Sequence, residues 1–170
     1  GQRGQTFTLH KTFTSQLREA LPWPLTADQK KAIREIFEDM THEERMHRLV
    51  MGDVGTGKTV VALFAMLLAL ENDCQAALMA PTELLAEQHY RTLTTLLAPL
   101  GLMPELLLGR LTAAEKKAAH TRLRTGATKL VVGTHALVQE SVAFQRLGLV
   151  VIDEQHRFGV EQRAALMGKG

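Results

Sequence analysis

Between Gly52 and Thr59 the chain reads GDVGTGKT, small residues and glycines ahead of a lysine and a threonine. The run fits G-x-x-x-x-G-K-[ST] at every position, and its fixed residues have chemical tasks. Gly55 and Gly57 let the backbone bend until several N–H groups point inward at one anion. Gly52, Asp53, Val54 and Thr56 complete the loop. A helix starting at its end adds the positive pole of its dipole. Lys58 sets a cation against the outer phosphates of a nucleoside triphosphate, and the Thr59 hydroxyl is placed to ligate Mg²⁺. A glycine turn with no ligand is the alternative. The strand, loop and helix around it stand where phosphate binding needs them.

Downstream, LVVIDEQH (149–156) is an apolar run that ends in carboxylates, Asp153 and Glu154. In an open parallel sheet the C-terminal strand ends border the ligand crevice. There Asp153 meets the loop's magnesium through water, and Glu154 poises the attacking water. Phosphoryl transfer needs this division between a group that holds the metal and one that orients the nucleophile. Alone, the acid pair passes for a surface turn. Paired with the loop at 52–59, it becomes the other half of a hydrolytic site.

These groups need a scaffold, and the rest of the chain spells one. Thr26 and Gln29 have capping-box spacing, so a helix follows, with Ile33, Ile36, Phe37 and Met40 on its buried face. THEERMH reads as a polar loop, and Leu49–Met51 as a short buried strand. A helix over 58–70, a strand over 75–80 and a helix from Thr82 to about residue 98 come next. A strand over 105–109, a helix from the Thr112–Glu115 capping box to Arg124, and strands over 129–133 and 147–153 follow. A short helix from about Val160 closes the chain. Strand–helix alternation with strands apolar on both faces predicts an α/β fold with a mostly parallel sheet covered on both sides.

Composition narrows the class. The 170 residues are 45% hydrophobic and 22% charged, enough for one domain with a sizeable core. A net charge of +2 and a pI near 8.9 permit nucleic acid without arguing for it, so DNA contacts must come from local patches. Cys74 is the only cysteine, which excludes an internal disulfide and a cysteine-based zinc site and suits a reducing, cytoplasmic compartment. The longest apolar run, Val60–Leu70, is too short for a bilayer, so no membrane partner is expected.

The stretches LPWPLTADQ (21–29), MGDVGTGKT (51–59), APTELLAEQH (80–89), VVGTHALVQ (131–139) and DEQHRFGVEQR (153–163) occur in one order over nearly all of 21–167. Together they resemble a superfamily 2 helicase, and more narrowly the first motor domain of the RecG-type ATP-dependent DNA helicases. DEQHRFGV is the most specific piece. The related transcription-repair coupling translocase usually has Glu where Gln155 stands.

The resemblance implies a RecA-like P-loop domain over 21–170 that binds ATP and Mg²⁺ and acts on branched or duplex DNA in recombination and repair. Residues 1–20 become a connector from a preceding DNA-binding wedge domain. A second RecA-like domain of the same chain is the other implied partner, in a monomer. Gln29 matches the glutamine that recognises adenine, since an amide donates and accepts together. Trp23 stands where the family usually has phenylalanine and either stacks on the base or pins the segment to the core. Pro81 and Thr82 match a contact to the nucleic-acid backbone, with a plain helix cap as the alternative. Gly133 and Thr134 match a second such contact, Gly133 letting a DNA strand approach. Arg110, in the loop after the third strand, is a phosphate contact or a solvated arginine. Gln155, His156 and Arg157 match the residues that couple the ATP site to the second domain and to DNA.

Beginning on Gly1 and ending on GKG, the chain reads as a C-terminally truncated piece of something longer. In the resembling ATPases a later strand normally lies between the phosphate-loop strand and the acidic strand. The expectation is therefore a sheet lacking a central strand, and a fragment that is marginally stable and nearly inactive alone. The rivals are another superfamily 2 motor and, from a different class, a nucleotide-binding interaction module that does not hydrolyse. The latter has little use for Glu154.

Overall fold

The computed structural model describes residues 7–42, 47–51, 57–139 and 141–154. The elements run α1 (Phe13–Ala20), α2 (Ala27–His42), β1 (His47–Met51), α3 (Gly57–Glu71), β2 (Gln75–Met79), α4 (Glu83–Leu97), β3 (Glu105–Leu107), α5 (Ala113–Thr125), β4 (Leu130–Gly133) and β5 (Leu147–Asp153). Short 3₁₀ turns cover Ala98–Leu100 and His135–Val138.

The helices begin where hydroxyls relieve their unpaired N–H groups. Thr112 Oγ1 accepts from Glu115 N–H at 3.1 Å, and Glu115 returns a carboxylate oxygen to Thr112 N–H at 2.9 Å. Thr26 and Gln29 make the same reciprocal pair at 3.1 and 2.9 Å. Thr82 caps α4 by accepting from Leu85 N–H at 3.2 Å. Helix α2 runs into the stretch expected as a loop, because Thr41 bonds back to Phe37 O and His42 to Glu38 O. The proposed helix from Val160 lies outside the described residues.

The sheet has the order β1-β5-β2-β4-β3, and every pairing is parallel. Successive side chains of a strand face opposite ways. Ala76, Leu78, Val132, Leu149 and Val151 therefore join the core beneath α3 and α4, while Ala77, Met79, Val131, Val150 and Ile152 join the core beneath α5. Helix α3 is apolar all round, as a helix with no solvent face must be. Every residue from Thr59 to Leu70 is buried, between the sheet and α1 and α2. No described helix is long and apolar enough to cross a membrane.

The structure corrects the expected gap in the sheet. β1 lies directly beside β5, in continuous parallel register from His47↔Leu149 to Met51↔Asp153. Leaving facing rows of backbone N–H and C=O groups unpaired in the core is costly, so the strands close on each other. This pairing removes the two unpaired backbone rows on which the expected marginal stability rested. Helix α1 was not anticipated either. It is short, buries Thr14 and Leu17, and packs with Phe7 into the same core as α3.

Candidate functional site

Because all strands run parallel, their C-terminal ends share one edge of the sheet. Across that edge Met51 pairs Asp153, Ile152 pairs Met79, Met79 pairs Gly133, and Gly133 pairs Leu107. Neighbouring strands lie about 4.8 Å apart. Beyond Met51, the described residues that follow along this edge are Glu154, Pro81–Thr82, Thr134 and Arg110, in that order. Gly52, Asp53, Val54, Gly55 and Thr56 lie outside the described residues, as do Gln155, His156 and Arg157. The strand that feeds the loop and the helix that receives it, β1 to Met51 and α3 from Gly57, are both in place.

The acid end is built tightly. Asp153 is the last residue of β5 and is 3% exposed. Glu154 N–H donates to Met51 O at 3.2 Å, which ties the acid pair to the strand entering the loop. His89 Nε2 donates to Asp153 Oδ2 at 2.8 Å, with side chains 13% and 4% exposed. A buried carboxylate needs such a partner. No reading of the sequence assigned His89 a role. The available signal was its place on the apolar stripe of α4, with buried Ala86 and Leu93 at helical spacing on either side. A polar residue on such a stripe needs a buried partner.

These residues suit a hard cation. Thr59, in the first turn of α3, is 7% exposed and offers a hydroxyl, and Asp153 offers a carboxylate. No cluster of three or more His, Cys, Asp or Glu among the described residues could hold a metal alone. Few protein oxygens, with the rest of the shell left to water and nucleotide phosphates, is the pattern of Mg²⁺ rather than of a caged ion. Lys58 is solvent-exposed at the start of the same helix.

Gln29 reaches this region through both ends of its amide. Its Oε1 accepts from Thr26 N–H, and its Nε2 donates to Gly57 O at 3.2 Å, at the end of the phosphate loop. An amide keeps a second hydrogen and further lone pairs for a base edge. Trp23 is 48% exposed and belongs to neither core, so the structure rejects its reading as a core anchor. It lines a cavity of about 980 Å³ with Arg18, Lys30, Arg34 and Phe37.

The candidate DNA contacts divide. Pro81 is half-buried, and Thr82 is exposed while also serving as the α4 cap. Arg110 is exposed, but it is not simply solvated. It donates to Glu83 at 3.3 Å and, more closely, to Glu87, both on α4. That bond to Arg110 holds the Glu87 carboxyl below its usual range and raises the Arg110 pKa. Gly133 is buried, and a Cβ there would lie 2.6 Å from Leu107 O and 2.9 Å from Leu137 Cγ. Its lack of a side chain serves the close packing of β3 and the 3₁₀ turn. Thr134 is 1% exposed, so its hydroxyl faces the interior instead of the surface.

The profile of the DEAD/DEAH box helicase family matches residues 26–169. The ATP-dependent DNA helicase RecG of Synechocystis sp. is 53% identical over 169 residues, 99% of this chain and 20% of that protein. Its Escherichia coli counterpart is 46% identical over 166 residues, 98% of this chain and 24% of that protein. The chain thus spans about a fifth to a quarter of the length of these curated relatives. Among solved structures, RecG bound to a three-way DNA junction aligns with 98% of this chain and 26% of that one, at a TM-score of 0.77 and 32% identity. The DEAD-box helicase Mss116 aligns with 92% of this chain and 33% of that one, at a TM-score of 0.64 and 23% identity, a likeness of fold alone.

Proposed function

As the chain belongs to the DEAD/DEAH box helicase family, we propose that it is the first RecA-like motor domain of a RecG-type, ATP-dependent DNA helicase that remodels branched DNA. The observation that carries this reading is the pairing of Met51 with Asp153. It sets the strand entering the phosphate loop beside the strand ending in the acid pair. Neither half hydrolyses ATP without the other.

In this reading Lys58 neutralises charge on the outer phosphates, and the backbone N–H groups of 52–57 cradle them. Thr59 and Asp153 would hold Mg²⁺, which would supply positive charge to offset that developing on the phosphates. Glu154 orients the attacking water and takes its proton. Gln29 reads the adenine edge, with Trp23 beside the base. Pro81 and Thr82 meet the DNA backbone, and Arg110 adds a phosphate contact when its carboxylate partners release it. Gly133 and Thr134 support that surface from beneath. Gln155, His156 and Arg157 relay the state of the nucleotide to a second RecA-like domain. A wedge domain, joined through residues 1–20, engages the branch point. The enzyme works as a monomer in the cytoplasm.

ATP hydrolysis by the full-length protein, measured with a three-way junction, linear duplex and RNA, tests this. The expected result is strongest stimulation by the junction. Equal stimulation by linear duplex points to a coupling translocase, and stimulation by RNA alone to an RNA motor. No turnover with any of them leaves only a nucleotide-binding module.

A further inference from the structure

Helix α4 touches both halves of the proposed machine. Its N-terminus, at Thr82, is the proposed meeting point with the DNA backbone, and its inner face carries His89 against Asp153. Fewer than two helical turns separate the two, about 10 Å along the axis. The helix is held between them by Ala86 and beyond them by Leu93, Leu96 and Leu97, all buried. A shift at one end therefore moves the other, since a packed helix moves as a rigid body.

We propose that His89 is a positioning residue that ties the metal-binding carboxylate of Asp153 to α4, so that DNA at the helix N-terminus sets the orientation of the acid end of the ATP site. This rests on the functional reading above. The imidazole Nε2–H engages Oδ2 at 2.8 Å and limits rotation of the carboxylate. A carboxylate accepts on both oxygens, so this bond is compatible with a hydrated cation against the other. Partners of this kind govern how well a ligand is presented, and losing one commonly costs 10- to 100-fold in metal affinity or activity. The backbone of the acid pair is tied separately, through the pairing of β5 with β1 and the bond from Glu154 N–H to Met51 O. The His89 bond adds a side-chain link from the acid strand end to the helix that starts at Thr82.

His89→Gln and His89→Asn in the full-length protein test this. Glutamine presents an N–H donor near the place of Nε2, whereas asparagine is shorter and cannot reach Oδ2. Both remain polar and uncharged. The first readout is the affinity for a fluorescent N-methylanthraniloyl ATP with and without Mg²⁺, which requires no turnover. The second is the factor by which a three-way DNA junction stimulates hydrolysis. His89→Asn should bind the metal-free nucleotide as the wild type does. It should lose about 10- to 100-fold of the Mg²⁺-dependent gain in affinity, together with most of the stimulation by DNA. His89→Gln should retain most of both. Equal behaviour of the two variants, whether both near wild type or both impaired, overturns the proposal. A wild-type protein that DNA does not stimulate overturns the functional reading first, and this inference with it.

Discussion

The acid corner at β1 and β5 and the rim at α4 and β3 share one sheet edge but are held by different physics. At the corner, Asp153 is almost fully buried, bonded to His89, and locked in register beside Met51. At the rim, Arg110 is 56% exposed and paired with Glu83 and Glu87, where water and salt compete for every charge. Chemistry is set where water is excluded and geometry is rigid. Contact with a long charged partner is set where side chains can exchange one anion for another.

Substitutions should divide along the same line. The largest effect belongs at the corner. Glu154→Gln in the full-length protein should lower ATP turnover by about 100- to 10,000-fold and leave nucleotide binding intact. Steady-state hydrolysis beside equilibrium binding measures both, and normal turnover would remove Glu154 from the mechanism.

Next comes the interior that supports both regions. Gln75 is 1% exposed; its Nε2 donates to Leu123 O and Thr128 O at 2.8 Å each, and its Oε1 accepts from Arg146 N–H. Leu123 O keeps the N–H groups of Gln145 and Gly126, but Gln75→Ala takes this partner from the Thr128 carbonyl and the Arg146 N–H and should lower unfolding free energy by about 1–3 kcal/mol in a urea titration. Gly133→Ala should cost about 1–3 kcal/mol through its clash with Leu107 O. A stable Gly133→Ala protein with weakened DNA binding would instead move Gly133 from the packed interior to the DNA surface.

The rim should respond weakly in stability and clearly in salt dependence. Arg110→Ala should leave the melting temperature unchanged, weaken DNA binding, and reduce the slope of log K against log salt by about 1. Glu87→Ala should act the other way, since it frees the guanidinium for phosphate. Identical effects of the two would show that the pair is structural.

The smallest effect is the acid limb of stability at α5. Hydrogen bonding to Thr112 holds the Glu115 carboxyl below its ordinary value in the folded state. Its stabilisation is therefore complete above the unfolded value and fades as pH falls through the folded one. Glu115→Ala should flatten that part of a melting-temperature profile against pH and leave neutral stability slightly lower.

Much of this could be read along the chain. The phosphate loop and the acid pair are short runs whose spacing carries their chemistry. Both capping boxes formed as spaced, because a cap involves only a few adjacent residues. The alternation of apolar strands and helices foretold a parallel sheet covered on both faces. Other features were hidden. Helix α1 is too short to show a clear period. The roles of Gly133 and Thr134 depended on what packs over them, which no local run records. His89 and Asp153 stand 64 residues apart, so their bond left only the faint trace of a histidine on an apolar stripe.

What the chain specified alone was therefore local: where a phosphate-loop pattern stands, which acids end a strand, and where helices start. These follow from dihedral preferences, hydrogen-bond reach and periodicity over a few residues. Tertiary structure alone decided that β1 lies against β5 with no gap, that Arg110 is held by α4, and that His89 grips Asp153. Such choices come from burying distant apolar faces against one another while leaving no backbone group in the core unpaired, and that condition can be met only by the whole chain together.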